Sequence, residues 1–241
     1  EYHIDGFRFD LMGVLDIETL NEARKALLKI NPDIIMYGEG WTGGESTLPE
    51  SERGMKINAP RTPGIGMFSD DIRDAVKGHV FYMDELGFVN GAADRGEELK
   101  QAVTCAKWAK SPMQSINYLS CHDNYTLWDR FIISNSHESE EMRIRMNKRA
   151  AAILFTAQGI PFFLHGEEFA RTKISEADGA PVENSYCSPL SVNAIDYDRA
   201  EQFSDLKAYY NGLIALRRAN KSFNLDTVDE IKKSVHLMDD I

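Results

Sequence analysis

Short apolar segments alternate with longer amphipathic segments along most of this chain. The apolar segments, rich in Ile, Met and Phe, predict buried strands at residues 2–10, 33–38, 115–120 and 160–164. Apolar residues at helical spacing predict helices at residues 16–30, 69–76, 96–109, 139–158 and 204–218. This alternation predicts an α/β fold, in which a parallel sheet is covered by helices. Such a sheet either closes into an eight-stranded barrel or remains open and doubly wound.

Two long segments, residues 40–67 and 170–199, show no pattern of regular structure and are predicted to be loops. Loops of this length are usually either functional or disordered. The first one contains Gly64-Ile65-Gly66, which lacks both a third glycine and a strand directly before it. It therefore does not predict a phosphate-binding loop.

Composition excludes several function classes. Asp and Glu number 38 against 27 for Lys and Arg, giving a net charge of −11. Without a basic footprint, nucleic acid is not an expected partner. No apolar run approaches the roughly 20 residues of a membrane span, so no membrane contact is expected. Cys105, Cys121 and Cys187 are read as free thiols; they favour a cytoplasmic location, with a secreted one left open.

The first predicted strand carries a charged pair. Because alternate side chains of a strand share a face, Arg8 and Asp10 point together, while Phe7 and Phe9 point the other way into packing. A guanidinium beside a carboxyl group favours its ionised form, which a covalent nucleophile requires. An ordinary ion pair on an edge strand is the alternative.

Two further strand ends carry polar groups. Glu39 lies between two glycines and is followed by Trp41, an aromatic surface on which a sugar ring could stack. His122, Asp123 and Asn124 follow the third predicted strand and could bind hydroxyl groups. The alternatives are a turn glutamate beside a core tryptophan and a capped loop. Because the carboxyl ends of parallel strands meet at one edge of a sheet, these groups are expected to converge.

Three carboxylates at strand ends indicate glycoside hydrolysis. One carboxylate attacks the anomeric carbon, and a protonated one assists the departing oxygen. Asp10, Glu39 and Asp123 could instead bind Mg²⁺, but Arg8 would oppose a cation there, so no metal is predicted. Phosphoryl transfer would require a phosphate cradle or a basic cluster, and the sequence has neither.

Several motifs resemble one known family. Residues 5–10, DGFRFD, resemble the nucleophile motif of the alpha-amylase superfamily of glycoside hydrolases. Residues 37–41, YGEGW, resemble its acid motif in the form found in type I pullulanases, and residues 120–124, SCHDN, match its third carboxylate motif. Residues 159–168, 184–186 and 192–197 are similar to the last barrel strand and the following loop. The resemblance covers almost the whole chain.

The resemblance implies a role for each of these residues. The implied catalytic residues are Asp10 as nucleophile, Glu39 as acid and then base, and Asp123 as the group that binds the hydroxyls of the cleaved sugar and distorts its ring. The implied substrate-binding residues are Arg8, Trp41, His122 and Asn124. The implied partner is an alpha-glucan polysaccharide or oligosaccharide. No cofactor is expected, and a structural calcium ion is left open.

The resemblance also implies an architecture. Residues 1–234 would supply strands four to eight, with their helices, of a (β/α)8 TIM barrel, and residues 235–241 would begin a C-terminal β-sandwich domain. The family's first motif, a strand ending Asp-x-x-x-Asn-His, does not occur in this sequence. The chain is therefore expected to be part of a longer enzyme, to be inactive alone and to associate through exposed barrel edges.

The implied activity is hydrolysis of alpha-1,6 branch linkages in pullulan, starch or glycogen, with retention of configuration. Two alternatives stay open. One is an isoamylase-like enzyme that debranches glycogen, and the other is a fragment that binds alpha-glucan without cleaving it.

Overall fold

Five short parallel strands form one sheet in the computed structural model, which describes residues 3–238. They are β1 (Gly6–Phe9), β2 (Ile35–Gly38), β3 (Gly66–Ser69), β4 (Ser115–Asn117) and β5 (Ile160–Pro161). Each strand pairs in parallel with the next one along the chain. The predicted α/β fold is confirmed, and this consecutive order is that of neighbouring strands in a (β/α)8 barrel.

Helices connect and cover these strands. Within the described residues they are α1 (Ile17–Leu28), α2 (Asp70–Lys77), α3 (Gly96–Thr104), α4 (Leu127–Ser134), α5 (Glu140–Thr156), α6 (Leu190–Asn193), α7 (Asp198–Gln202), α8 (Ser204–Ala219) and α9 (Val228–Ser234). Asp16 and Ser139 cap α1 and α5 by accepting hydrogen bonds from backbone N–H groups of the first turn. None of the described helices is both long and apolar enough to cross a membrane.

The strand β3 was not predicted from the sequence. Residues 40–67 were expected to be one loop, but β3 begins at Gly66, and 3-10 helices form at Glu50–Glu52 and Lys56–Arg61. All four β3 residues are buried between β2 and β4. Their apolar run is only Met67-Phe68, which is too short to produce a strand pattern between Gly64 and the acidic start of α2.

Several helix boundaries also differ from expectation. The helices α4 and α9 were missed; Thr126 caps α4, and a capping box of Thr227 and Glu230 begins α9. The segment predicted to be a loop at 170–199 contains α6 and the start of α7, and α3 ends at Thr104 rather than at residue 109. Ser69 precedes α2, but its side chain makes no capping bond.

The predicted ends of the chain are only partly described. The first strand begins at Gly6 rather than at residue 2, and Tyr2 lies outside the described residues. Of the predicted sandwich start, residues 235–238 have no regular secondary structure, and residues 239–241 lie outside the described part.

The core lies on both faces of the sheet. The larger cluster packs the helices α2, α4, α5 and α8 together through side chains such as Leu119, Phe131, Leu154 and Tyr210. On the other face, the Phe68 ring lies 5.0 Å from the Tyr118 ring and 5.2 Å from the Phe162 ring, all in edge-on contact. These aromatic rings form an apolar floor beneath the carboxyl ends of the strands.

The outer strand β1 leaves apolar side chains in solvent. Phe9 packs against the core as expected, but Phe7 is exposed, contrary to the prediction that both would be packed. Ile4 and Ile35 near the same edge are also exposed. Among residues 3–238, no strand pairs with the free side of β1 or with the free side of β5. Unpaired edges and bare apolar side chains favour association.

We expect a protein consisting of these residues alone to self-associate in solution, because no strand within residues 3–238 pairs with the outer edge of β1. Replacing Phe7 by Lys places a charge on that edge and should shift the population toward the monomer in light scattering. Leu190→Lys is the matched control, since Leu190 is exposed in α6 and belongs to neither outer strand. A monomer before either substitution would contradict this expectation.

Candidate active site

One guanidinium group connects two of the predicted catalytic carboxylates. Arg8 Nη1 donates to Asp10 Oδ1 at 3.2 Å, and Arg8 Nη2 donates to Glu39 Oε1 at 2.7 Å. The register of β1 and β2 sets Arg8 opposite Tyr37, so that the two strands end side by side. Asp10 and Glu39 therefore lie next to each other, as the prediction of converging strand ends required.

The two carboxylates have different surroundings. The Asp10 side chain is 70% exposed, whereas the Glu39 side chain is 6% exposed. The second oxygen of Glu39 accepts the Leu11 N–H at 2.8 Å. A buried carboxylate is costly unless its oxygens are hydrogen-bonded, and here the structure supplies one partner for each oxygen. Glu39 is thus fixed in orientation, while Asp10 faces solvent.

The backbone around Glu39 is tied to the turn after β1. Gly13 N–H donates to the carbonyls of Glu39 and Trp41, both at 3.1 Å. A Cβ atom at position 13 would lie 2.5 Å from the Trp41 backbone, so only glycine allows this approach. The turn thereby fixes the positions of the acid residue and the tryptophan together.

A cleft of about 520 Å³ opens beside Glu39. Its lining includes Glu39, Trp41, Phe68, Tyr118, Asp123 and Asn124. Its size lies within the roughly 300–1,000 Å³ of small-molecule sites. Trp41 is partly exposed, and its ring lies 6.5 Å from the Phe68 ring and 5.5 Å from Lys56 Nζ.

The loop after β4 brings the third carboxylate to the same cleft. His122 Nε2 lies 3.4 Å from Asp123 Oδ2, and both side chains are exposed. Asn124 has a left-handed backbone with φ of 58°, and its N–H donates to Asn184 Oδ1 at 3.0 Å. Asp123 and Asn124 line the cleft together with Glu39, whereas Arg8, Asp10 and His122 are not part of its lining.

Sequence reasoning missed several residues of this cleft. Asp70 directly follows β3, just as Asp10 directly follows β1, but it was not predicted because β3 itself was missed. Lys56 donates a hydrogen bond to Asp70. Arg73 is buried on α2 and donates to Tyr118 at 2.6 Å and to Asp74 at 2.7 Å. The run Asp-Asp-Ile-Arg-Asp gave no signal of this, since charged runs on helices are commonly solvated. Burial raises the pKa of the Tyr118 phenol, which keeps it neutral.

A buried network of hydrogen bonds supports the loop after β4. Glu167 accepts hydrogen bonds from Ser120, which directly precedes the Cys121–Asn124 loop, and from Tyr210 of α8 at 3.2 Å. The Tyr210 hydroxyl also lies 2.7 Å from Asn147 Oδ1 of α5, so its single proton is donated either to Glu167 or to Asn147. Burial raises the pKa of Glu167 to about 7 and lowers the pKa of Lys77 to about 7. The network links the loop to the helical layer.

One group of side chains has the spacing of metal ligands. Among the described residues, potential ligand atoms of Cys121, His122 and Asp123 lie within 4.8 Å of one another. Burial raises the pKa of the Cys121 thiol, which disfavours the thiolate that binds metal. That the site uses no metal stays a prediction. A structural calcium ion is still left open.

Comparison with known proteins reveals close relatives. The chain is 38% identical over 245 residues to the pullulanase of Bacillus subtilis, covering 99% of this chain and 33% of that protein. A crystal structure of the pullulanase of Paenibacillus barengoltzii with maltohexaose and alpha-cyclodextrin is 47% identical, with a TM-score of 0.89 over 96% of this chain and 36% of that one. No protein-family model matches the chain.

A second solved structure fits equally well. The pullulanase of Anoxybacillus sp. LM18-11, crystallised with maltotetraose, is 41% identical, with a TM-score of 0.94 over 100% of this chain and 34% of that one. The fold is that of the alpha-amylase family, and the five-stranded sheet is consistent with part of its catalytic barrel. Within it, the chain belongs to the pullulanase family. It spans about a third of the length of the relatives it matches.

The bridging role of Arg8 has a measurable effect on stability. Arg8→Met leaves the buried Glu39 carboxylate without its cation, and this should lower the free energy of unfolding by about 1.5–3 kcal/mol in denaturant titrations. Glu39→Gln in the same chain should recover part of that loss. Arg145→Met, which breaks an exposed pair with Glu141, should cost less than about 0.5 kcal/mol. Equal losses in the free energy of unfolding for Arg8→Met and Arg145→Met would contradict the bridging role of Arg8.

The raised pKa of Glu167 makes the stability of the fold depend on pH. Its pKa rises from 4.5 to about 7 on folding, so between these values the folded protein keeps a proton that the unfolded chain has lost. Rising pH therefore lowers stability there, by up to about tenfold in the folding constant per pH unit. Glu167→Gln removes this dependence, and its melting temperature relative to wild type should rise between about pH 5 and about pH 7. A constant difference would contradict the burial effect.

Lys77 is the buried cation to control for in that experiment. Its lowered pKa makes stability rise with pH above about 7, the opposite sign to Glu167. Confining the comparison to pH values below about 7 separates the two groups.

Proposed function

We propose that the protein containing this chain is a retaining glycoside hydrolase that cleaves alpha-1,6-glucosidic branch linkages in pullulan, starch or glycogen. The observation that carries this proposal is the contact of one guanidinium, that of Arg8, with both Asp10 and Glu39. Retaining enzymes need two carboxyl groups roughly 5–5.5 Å apart, and sharing one guanidinium supports a short separation. The relationship to pullulanases supports the choice of linkage.

In this mechanism Asp10 attacks the anomeric carbon and forms a glycosyl ester. Its exposed side chain is accessible to substrate, and Arg8 orients it by donating a hydrogen bond to Oδ1. Glu39 first donates a proton to the departing oxygen. In the second step Glu39, hydrogen-bonded by Arg8 and the Leu11 N–H, accepts a proton from a water molecule whose oxygen attacks the anomeric carbon; the ester bond breaks and Asp10 leaves as a carboxylate.

The remaining predicted site residues bind the substrate. Asp123 accepts hydrogen bonds from hydroxyls of the sugar being cleaved and favours its distorted ring, and His122 beside it binds the same sugar. Trp41 and Asn124 line the neighbouring parts of the cleft. The bound molecule is an alpha-glucan; the relatives from Paenibacillus barengoltzii and Anoxybacillus were crystallised with maltooligosaccharides, which supports this substrate class.

Asp10→Asn in the complete protein should abolish turnover, because an amide cannot form the glycosyl ester. Loss of one member of a catalytic set commonly costs about 10⁴-fold or more in kcat. Release of reducing sugar from pullulan measures the loss, and Asp33→Asn, at an exposed carboxylate before β2, is the control expected to keep full activity. Activity of the Asp10 variant within about tenfold of wild type would contradict the assignment.

A further inference from the structure

A buried lysine from the chain after β5 contacts the loop that carries the third carboxylate. Lys173 is 2% exposed, and its Nζ donates to the His122 carbonyl at 2.9 Å. Within residues 3–238, this carbonyl oxygen is the only hydrogen-bond acceptor of the Lys173 ammonium group. Burying an ammonium group is costly, so apolar packing does not explain a lysine at this position.

The backbone of Lys173 is fixed by an acidic residue of α4. Asp129, which is 0% exposed, accepts the Lys173 N–H at 2.9 Å on one oxygen and the Thr172 hydroxyl on the other. The Asp129 N–H donates in turn to Oγ1 of Thr126, the N-cap of α4, at 3.1 Å. The loop at residues 121–124 leads into this helix. Asp129 therefore fixes the base of the Lys173 side chain, and the ammonium group at its other end holds the loop that precedes α4.

The contact made by Lys173 lies in the middle of the loop, next to Asp123. Two other polar contacts hold the loop near its ends, through Ser120 and Asn124. The Asp123 side chain is 43% exposed and the His122 side chain is 54% exposed, so packing orients them only in part. The direction of the Asp123 carboxylate therefore depends on the backbone at His122, which Lys173 holds.

We propose that Lys173 is a positioning residue for Asp123: by holding the His122 carbonyl, it fixes the backbone that directs this carboxylate at the sugar being cleaved. Lys173 does not line the cleft, so it acts through the loop and not on the substrate. This inference rests on the proposed function. Hydrogen bonds that favour the distorted ring strengthen in the transition state, and misplacing a contact by about 1 Å can cost about 100-fold in rate. Loss of Lys173 should therefore lower kcat more than it raises KM.

The test measures kinetics of the complete protein on pullulan. Lys173→Met replaces the donor by an apolar side chain of similar shape. It should lower kcat about 10- to 100-fold, while KM stays within about threefold of wild type. Lys148→Met is the matched control and should keep the wild-type kcat, because Lys148 lies in α5, pairs with the exposed Asp205 of α8 and does not line the cleft.

A double-mutant cycle with Asp123 distinguishes positioning from a general loss of structure. If Lys173 acts through Asp123, Lys173→Met should lower kcat by a smaller factor in the Asp123→Asn protein than in the wild-type protein. The same factor in both proteins would overturn the proposal, as would a kcat of Lys173→Met within about twofold of wild type. If Lys173→Met does not fold, the same cycle made with Lys173→Gln, which keeps a polar end on a shorter side chain, decides the question by the same criteria.

The positioning role and the proposed function fail separately. If pullulan is hydrolysed but the cycle gives equal factors, the positioning role is wrong while the hydrolase stands. If the wild-type protein does not hydrolyse pullulan, the proposed function is wrong, and hydrogen exchange then decides the positioning role. Faster exchange of the peptide that contains residues 121–124 in Lys173→Met, but not in Lys148→Met, supports the role, and equal exchange in the two variants overturns it.

Discussion

The ion pairs of Arg8 are the interaction on which the rest of the site depends. Its guanidinium holds an exposed carboxylate, Asp10, against a buried one, Glu39, and thereby joins the ends of β1 and β2. A buried carboxylate without such a partner would be strongly unfavourable. The pairing also holds the two carboxyl groups close together, as a double displacement requires.

The third carboxylate depends on a different kind of support. Asp123 lies on an exposed loop, and the buried hydrogen bond between Ser120 and Glu167 fixes the start of that loop. Tyr210 extends the contact to α8, so helices far from the cleft help to position the loop. These buried hydrogen bonds restrict the arrangement of the core, at the cost of burying a titratable group. The cleft is thus built from a rigid floor of aromatic rings and from loops that polar contacts hold in place.

The sequence was sufficient for the features that local pattern controls. Alternation of strands and helices predicted the α/β fold, and the spacing of Arg8 and Asp10 predicted their contact. The shorter contact from Arg8 to Glu39 was not predicted, because it joins residues 31 positions apart and depends on the register of two strands. The strand β3 was missed because its four residues form a strand through burial between β2 and β4, and their sequence alone does not show a strand pattern. Because β3 was missed, the place of Asp70 at a strand end was missed too, and Phe7 was predicted to be packed, whereas its side chain is exposed.

The stereochemistry of the first product tests the central claim most directly. If Asp10 and Glu39 act as the pair that Arg8 holds together, pullulan is cleaved by double displacement. Proton NMR during the first minutes of hydrolysis by the complete protein should then show the alpha anomer of the new reducing end before mutarotation. Initial appearance of the beta anomer would indicate a single displacement by water, and it would contradict the role of Asp10 as nucleophile.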